Sequence, residues 1–486
     1  MSKVRTRYAP SPTGYFHIGG ARTALFNYLY AKHYNGEFIV RIEDTDIERN
    51  VEKGAESQLE NLKWLNIFPD ESILNPTENG PYKQSEKIPV YKKLAFKLLE
   101  EGKAYRCFCT VEELERARQT ALLRGETPKY GRTCLFLSAQ EIQDKINANI
   151  PFAIRLRLPD KTNYEWYDLI RKNVSVPSSA MTDPVILKSN NIAMYNFACV
   201  VDDHDMKITH ILRGEEHLSN TPYQMAIKKA LNFQDQFVYA HLPIIVDESG
   251  KKLSKRNLVI EQFIEKFRTK GYLPEVMVNF MALLGWTDEQ NQDILSINDL
   301  IKKFTIERVN SAPAYFDIKK LNWLSNTYFK KMNDSSYLSF VDSFFEVTNS
   351  LLVSKKKELA LLFKPQLQYA QELTKLITDN FLVKLSWNAL NKEDQNFIKN
   401  SPANKIVLNR FVNNLKRIKQ WNENEIKQVI ITLGTELNIK GKSLFMPIRL
   451  AVSNRSHGPE LNKIIAMYPQ EKICQVLEEF IQNAGL

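Results

Sequence analysis

The sequence predicts a multidomain α/β protein that runs into a long, mainly helical carboxyl-terminal region. Three observations carry this reading. The opening residues alternate strand, glycine-bearing loop, helix and strand. That pattern breaks near Tyr105 and resumes near Asn191. Beyond Pro274 helical spacing dominates, interrupted at Pro313, Pro365, Pro402 and Pro447. At 486 residues the chain is too long for one hydrophobic core and should divide into about three to five compact units.

Val4–Ala9 is a short β-prone run, stopped by Pro10, Pro12 and Gly14. From Gly19 to about Asn35 the apolar residues Leu25, Phe26, Leu29 and Tyr30 fall at helical spacing. Gly36 is expected to stop that helix, and Phe38–Ile42 forms the next strand. The loop of such a unit faces the carboxyl end of its first strand, where open α/β sheets take their ligands. Residues 52–66 and 85–101 read as further helices. Thr110–Glu113 and Ser138–Glu141 each match a capping box and should open short helices. The stretch 106–190, with a strand-like run at Phe152–Leu158, reads as an insertion into the first domain. The α/β pattern resumes with Ile192–Val201, Ile208–Arg213, a helix at Thr221–Leu231 and a strand at Leu242–Val246. No internal repeat or low-complexity linker is visible.

An apolar fraction of 43% and a charged fraction of 25% are ordinary for a soluble globular chain. No stretch reaches the ~20 apolar residues of a membrane helix. The first strand begins almost at the initiator, without an apolar signal region or Arg/Ser-rich leader, so a cytoplasmic protein is expected. The net charge is +10, and residues 321–486 hold 22 basic against 15 acidic side chains, an excess of seven. A regional basic excess suits a polyanionic partner, although a solvated lysine-rich surface is its commoner source. Five cysteines do not make a disulfide scaffold. Cys107, Cys109 and Cys134 are grouped, whereas Cys199 and Cys474 lie in apolar runs and read as core.

Four segments carry the chemistry. The first, Arg7 to Gly14 continuing to His17-Ile18-Gly19-Gly20, combines an imidazole and two glycines with a helix start. The glycines admit a base or ribose close to the backbone. Free N–H groups at the helix start favour phosphate, and His17 can donate to a phosphate oxygen as charge builds. A tight turn with a helix-start histidine would look the same. The second is Lys251-Lys252-Leu253-Ser254-Lys255-Arg256 after the turn Asp247–Gly250. Lysines three apart on a hinged loop can swing onto a triphosphate; in isolation a solvated basic loop is the commoner reading.

The third is Arg41-Ile42-Glu43-Asp44-Thr45-Asp46 at a strand end, whose carboxylates can hold an ammonium group or ribose hydroxyls. The fourth runs from Tyr195 through Asp202-Asp203-His204 to Arg213-Gly214-Glu215-Glu216-His217. Arg213 stands at a predicted strand end and can pair with a carboxylate in bidentate fashion. His204, His210 and His217 lack the helical spacing of a histidine metal motif and read as non-metal residues.

Paired at about 235 residues' separation, His17–Gly20 and the KLSKR segment resemble the two signatures of class I aminoacyl-tRNA synthetases. The flanking runs Tyr8–Gly20, Arg41–Asp46, Asp202–Asn220 and Gly271–Trp286 resemble the bacterial glutamyl-tRNA synthetase family. So do Phe445–Arg449 and His457–Pro459, so the likeness covers nearly the whole chain, weakest from about 330 to 430.

The resemblance implies a Rossmann-type catalytic domain (1–105 and 191–256) split by an acceptor-stem-binding insertion (106–190). A stem-contact helical domain (257–327) and an all-α anticodon-binding region (328–486, dividing near 390) would follow. It implies adenylation of glutamate by ATP with Mg²⁺, then transfer to the terminal adenosine of tRNA, by a monomer. His17, Gly19, Gly20, Glu216, Lys252, Ser254 and Lys255 match ATP-binding positions, with His17, Gly19, Lys252 and Lys255 the catalytic ones. Arg7, Ala9, Ser11, Glu43, Tyr195, Arg213 and His217 match the glutamate pocket.

Departures from the family pattern matter too. Cys107, Cys109 and Cys134 match the zinc ligands of some members, but Phe136 stands where those members carry a histidine. Tyr130 or water would have to complete the set, and three thiols without a fourth good ligand more often mean a lost site. Asn257 replaces the usual residue after the lysine signature, and Cys199 an asparagine of some members. Members that accept only the glutamate tRNA can carry an arginine where this chain has Gln366, which implies charging of the glutamine tRNA as well. The competing readings are a non-catalytic tRNA-binding relative, a shortened relative acting on a tRNA base, and a glutaminyl-specific enzyme.

Overall fold

The computed structural model describes residues 3–46, 50–253 and 261–485. The chain forms two compact units, one of residues 1–269 and 274–321, the other of 270–273 and 322–486.

The first unit opens with β1 (Arg5–Tyr8), α1 (Ile18–His33) and β2 (Glu37–Val40). α1 starts at His17, whose Nδ1 accepts the Gly19 N–H at 3.0 Å and so caps the helix. It buries Leu25, Phe26, Leu29 and Tyr30. Its end differs from the expectation. Asn35 takes the left-handed conformation (φ 52°), while Gly36 serves a close approach: a Cβ there would lie 2.8 Å from the Val4 Cβ. α2 (Gly54–Trp64) and α3 (Ile88–Glu100) follow, then β3 (Ala104–Cys107), α4 (Val111–Leu123) and α5 (Ala139–Asn147). Both capping boxes form, at Thr110 and at Ser138.

β4 (Ala153–Leu156), β5 (Asn163–Asp168), β6 (Lys172–Pro177), β7 (Val185–Leu187), α6 (Tyr195–Asp205), β8 (His210–Gly214), α7 (Thr221–Ala230) and β9 (Val238–Leu242) complete the α/β part. The main sheet has the order β2-β1-β8-β9-β5-β6, parallel except for the β5–β6 hairpin. β3, β4 and β7 form a separate antiparallel sheet. Residues 106–190, expected as an insertion into the first domain, contribute strands to both sheets. Their hairpin extends the main sheet through the pair Asp168↔Tyr239. The strand expected at 242–246 is divided, because Pro243 has no N–H to give a ladder. Beyond it β10 (Ile245–Val246) pairs with β11 (Ala314–Tyr315).

The second unit is helical. One core of this unit gathers residues from Trp387 to Ala484, including Phe411, Ile448 and Phe480. Cys474 is buried there, as expected. No described helix is long and apolar enough to cross a membrane.

Candidate active site

β1 and β8 run in parallel, so Tyr8 and Gly214 end on one side of the sheet. Beyond these ends lies a cavity of about 590 Å³. Its wall includes Arg7, Ala9, Ser11, His17, Gly19, Gly20, Glu43, Tyr195, Arg213, Glu216 and His217. Residues 200 apart in sequence meet because parallel strands bring their carboxyl ends together.

The helix start forms one side. With Nδ1 occupied by the Gly19 N–H, His17 carries its proton on Nε2, which donates to Gln262 Oε1 at 2.6 Å. Gly20 permits a close approach: a Cβ would stand 2.7 Å from Tyr8 Oη. At Gly214 a Cβ would meet the Glu216 carboxyl carbon at 2.6 Å. Lys252 reaches this side also, its Nζ 3.8 Å from Glu216 Oε1. It follows a turn in which Asp247 Oδ1 accepts the N–H of Ser249 and Lys251 (2.9 and 3.1 Å), and Gly250 takes φ +76°. Ser254, Lys255 and Asn257 lie outside the described residues.

The other side is a buried charge network. Asp203 binds Arg7 Nε at 3.1 Å and Arg41 Nη1 at 2.7 Å. Arg41 also donates to Glu43 at 3.0 Å and lies 3.5 Å from Asp202. Burial alone would raise the Asp203 carboxyl, but Arg7 and Arg41 override it and hold it at about 2. For Glu43 burial wins over Arg41, and its carboxyl is raised above the usual range. Cys199 is buried as the sequence suggests, yet it belongs to this network, 3.6 Å from Asp203 Oδ2. Burial pushes its thiol up to about 12, so Cys199 is a neutral donor. Burial, with Arg213 nearby, lowers His217 to about 4, and Tyr195 Oη stands 3.3 Å from its Nδ1.

Arg213 differs from Arg7 and Arg41. Its Nε donates to His241 Nε2 at 3.2 Å, and Nη1 and Nη2 donate to Gln224 Oε1 and Thr221 Oγ1, each at 2.8 Å. All three acceptors are neutral. The arginine is 5% exposed and opens onto the cavity. A guanidinium so held keeps its full charge for a bound carboxylate.

Comparison with known proteins agrees with this geometry. Residues 3–323 match the family model of the catalytic domain of class I tRNA synthetases (E and Q), and residues 321–481 match an anticodon binding domain. The chain belongs to the class I tRNA synthetases of the E and Q group. It is 56% identical to the glutamate–tRNA ligase of Mycoplasmoides gallisepticum and 51% identical to that of Malacoplasma penetrans, each over 99% of both chains. Its fold matches the glutamate tRNA ligase of Elizabethkingia meningosepticum, solved in complex with its amino acid, with TM-score 0.85, 30% identity and 99% coverage of both chains.

In this synthetase His204 and His210 do not line the cavity, whereas Thr45 and Asp46 do. His204 stacks on Phe233 at 3.6 Å and pairs with Asp235 at 2.7 Å. His210 packs against Tyr30 at 5.0 Å. Gln366 stands past the end of the helix Lys356–Phe363, its N–H bonded to Phe363 O at 2.9 Å. Pro365 accounts for the stop.

The sulfur atoms of Cys107, Cys109 and Cys134 lie within 4.8 Å of one another. Tyr130 Oη is 3.4 Å from Cys107 and 3.6 Å from Cys109. Phe136 is 79% exposed and does not join them. Tyr130 Oη also accepts the Cys134 N–H at 3.1 Å, and burial raises its hydroxyl, so three sulfurs are the good zinc donors here.

Sequence reading missed Asp203 as the partner of both buried arginines, and it missed Gln262, His241 and Asp168. Asp203 sat within a flagged run. The other three carry no local signal, because their partners are distant in the chain.

Proposed function

We propose that the chain ligates L-glutamate to tRNA through a glutamyl-adenylate. The observation that carries this is Arg213, charged and opening onto the cavity with only neutral partners, across from the His17–Gly20 helix start. The substrate brings two carboxylates and one ammonium. Arg213 receives the side-chain carboxylate, and Arg7 the second through the N–H groups that Asp203 leaves. Glu43, with one oxygen on Arg41, takes the ammonium, and Ala9, Ser11, Tyr195 and His217 shape the remainder.

ATP lies along the helix start, with its phosphates toward His17, Gly19 and Gly20 and its ribose toward Glu216. Lys252, with Ser254 and Lys255 of the same signature, balances the charge of the leaving pyrophosphate. Mg²⁺ supplies further charge neutralisation when bound with the triphosphate. A glutamate carboxylate oxygen attacks the α-phosphorus, the bond to pyrophosphate breaks, and a hydroxyl of the terminal adenosine then displaces AMP. No protein nucleophile is required; positioning and preorganised charge suffice.

Cys107, Cys109 and Cys134 would supply three zinc ligands within residues 106–190, with Tyr130 or water as the fourth, and the closeness of the three sulfurs supports that reading. Gln366 in place of an arginine supports acceptance of both the glutamate and the glutamine tRNA by a cytoplasmic monomer. Charging each purified tRNA separately with labelled glutamate tests the proposal. Glutamate on both is expected; glutamate on neither, or glutamine in its stead, overturns it.

A further inference from the structure

Arg213 is fixed by a chain of hydrogen bonds that begins in the inserted hairpin. Asp168, the last residue of β5, is fully buried. Its Oδ1 accepts the N–H groups of Ile170, Arg171 and His241 at 3.0, 2.9 and 3.2 Å. Its Oδ2 faces His241 Nδ1 at 2.5 Å. The division of labour matters, because Oδ1 holds the backbone and Oδ2 addresses the imidazole alone.

A carboxylate is an acceptor only, so the Nδ1 proton of His241 points at Asp168. Nε2 then presents a bare lone pair. That lone pair faces Arg213 Nε–H at 3.2 Å and the Thr221 hydroxyl, itself a partner of Arg213, at 3.1 Å. Burial depresses the imidazole's basicity, which keeps Nε2 unprotonated. A guanidinium has five N–H groups. Three are taken by His241, Gln224 and Thr221, and the remaining two have no acceptor among the described residues. A carboxylate in the place of His241 would orient the arginine equally well but cancel its charge. A neutral imidazole orients it and leaves the charge in place.

Building on the glutamate-pocket reading above, we propose that His241, held in one tautomer by Asp168, is the positioning residue that aims Arg213 and sets the preference for a side-chain carboxylate over an amide. Asp168 and His241 act through Arg213 and do not touch the substrate.

The test uses the full-length enzyme with tRNA, and ATP–pyrophosphate exchange driven by glutamate or by glutamine. Asp168→Asn is the decisive variant. Its amide oxygen can keep the three backbone bonds, while its NH₂ meets Nδ1, drives the proton to Nε2 and sets two donors against each other at Arg213. His241→Phe removes the lone pair, and His241→Gln restores an acceptor near the same place. Asp168→Asn and His241→Phe should each raise the glutamate KM about tenfold or more and lower the glutamate-to-glutamine preference in proportion. The ATP KM should stay within about twofold, and His241→Gln should recover most of the preference. An unchanged preference in folded Asp168→Asn and His241→Phe overturns the proposal. So do parallel losses for glutamate and ATP, or failure of all three variants to fold, which mark the chain of bonds as structural only. Exchange by the unmodified enzyme with glutamate is the separate control. Its absence would remove the glutamate reading itself.

Discussion

His17 and Gln262 meet at 2.6 Å, the imidazole Nε2–H donating to the amide oxygen. The histidine's only other nitrogen is occupied by the Gly19 N–H at 3.0 Å, so the same proton must serve Gln262 and an incoming phosphate. Gln262→Glu would hold that proton more tightly and add a negative charge beside the triphosphate. The ATP KM should rise roughly tenfold, about 1.4 kcal/mol, with the glutamate KM unchanged. Pyrophosphate exchange at saturating glutamate measures it.

Asp203→Asn should destabilise the catalytic unit. It leaves Arg7 and Arg41, both buried, without the carboxylate that binds them at 3.1 and 2.7 Å. Removing one member of a buried ion pair costs about 3–5 kcal/mol. Thermal unfolding followed by near-ultraviolet circular dichroism should show the loss, and Asp203→Glu should recover only part of it.

The His17–Gly20 turn and Arg213 were legible in the sequence because each is a local pattern at a helix start or a strand end. The network behind them was not. Asp168 and His241 stand 73 residues apart, and Arg7 and Asp203 are 196 apart. The β5–β9 pairing brings the first two together, and the second pair joins β1 to α6. The helix end at Asn35 was misassigned to Gly36, because packing against Val4, rather than a left-handed turn, demands a glycine there. The placing of residues 106–190 in both sheets was hidden for a similar reason. A hairpin's own alternation does not say which sheet its edge will join.

Gly19 and Gly20 both line the cavity, but a methyl group should cost stability only at Gly20. A Cβ at Gly20 meets Tyr8 Oη at 2.7 Å inside a buried cluster, whereas at Gly19 the nearest atom is His17 Nδ1 at 3.3 Å. Gly20→Ala should cost about 1–3 kcal/mol of stability. Gly19→Ala should fold normally yet weaken ATP binding, since its methyl group occupies the cavity wall. Thermal midpoints and ATP KM values, taken on both variants, make the comparison.

Burial lowers His210 from 6.5 to about 4 in the folded protein. The unfolded chain therefore binds this proton first. The stabilising contribution is fully present above about pH 6.5, falls as pH drops toward 4, and is flat below. Urea unfolding between pH 7 and 4 should show proton uptake, shared with His217 and His241, that His210→Gln lowers by up to about one proton.

Protein purified without chelator should contain about one zinc per chain if Cys107, Cys109, Cys134 and Tyr130 act together. Tyr130→Phe should release it to a weaker chelator than the unaltered chain requires. Metal analysis by plasma emission reads both.

The most direct test is ATP–pyrophosphate exchange by the purified chain with tRNA, comparing glutamate with glutamine and the unaltered enzyme with Arg213→Ala. Strong exchange with glutamate, little with glutamine, and loss of the glutamate signal in the variant are expected. Equal exchange with both amino acids, or a variant that still prefers glutamate, would contradict a pocket built around an arginine that keeps its charge.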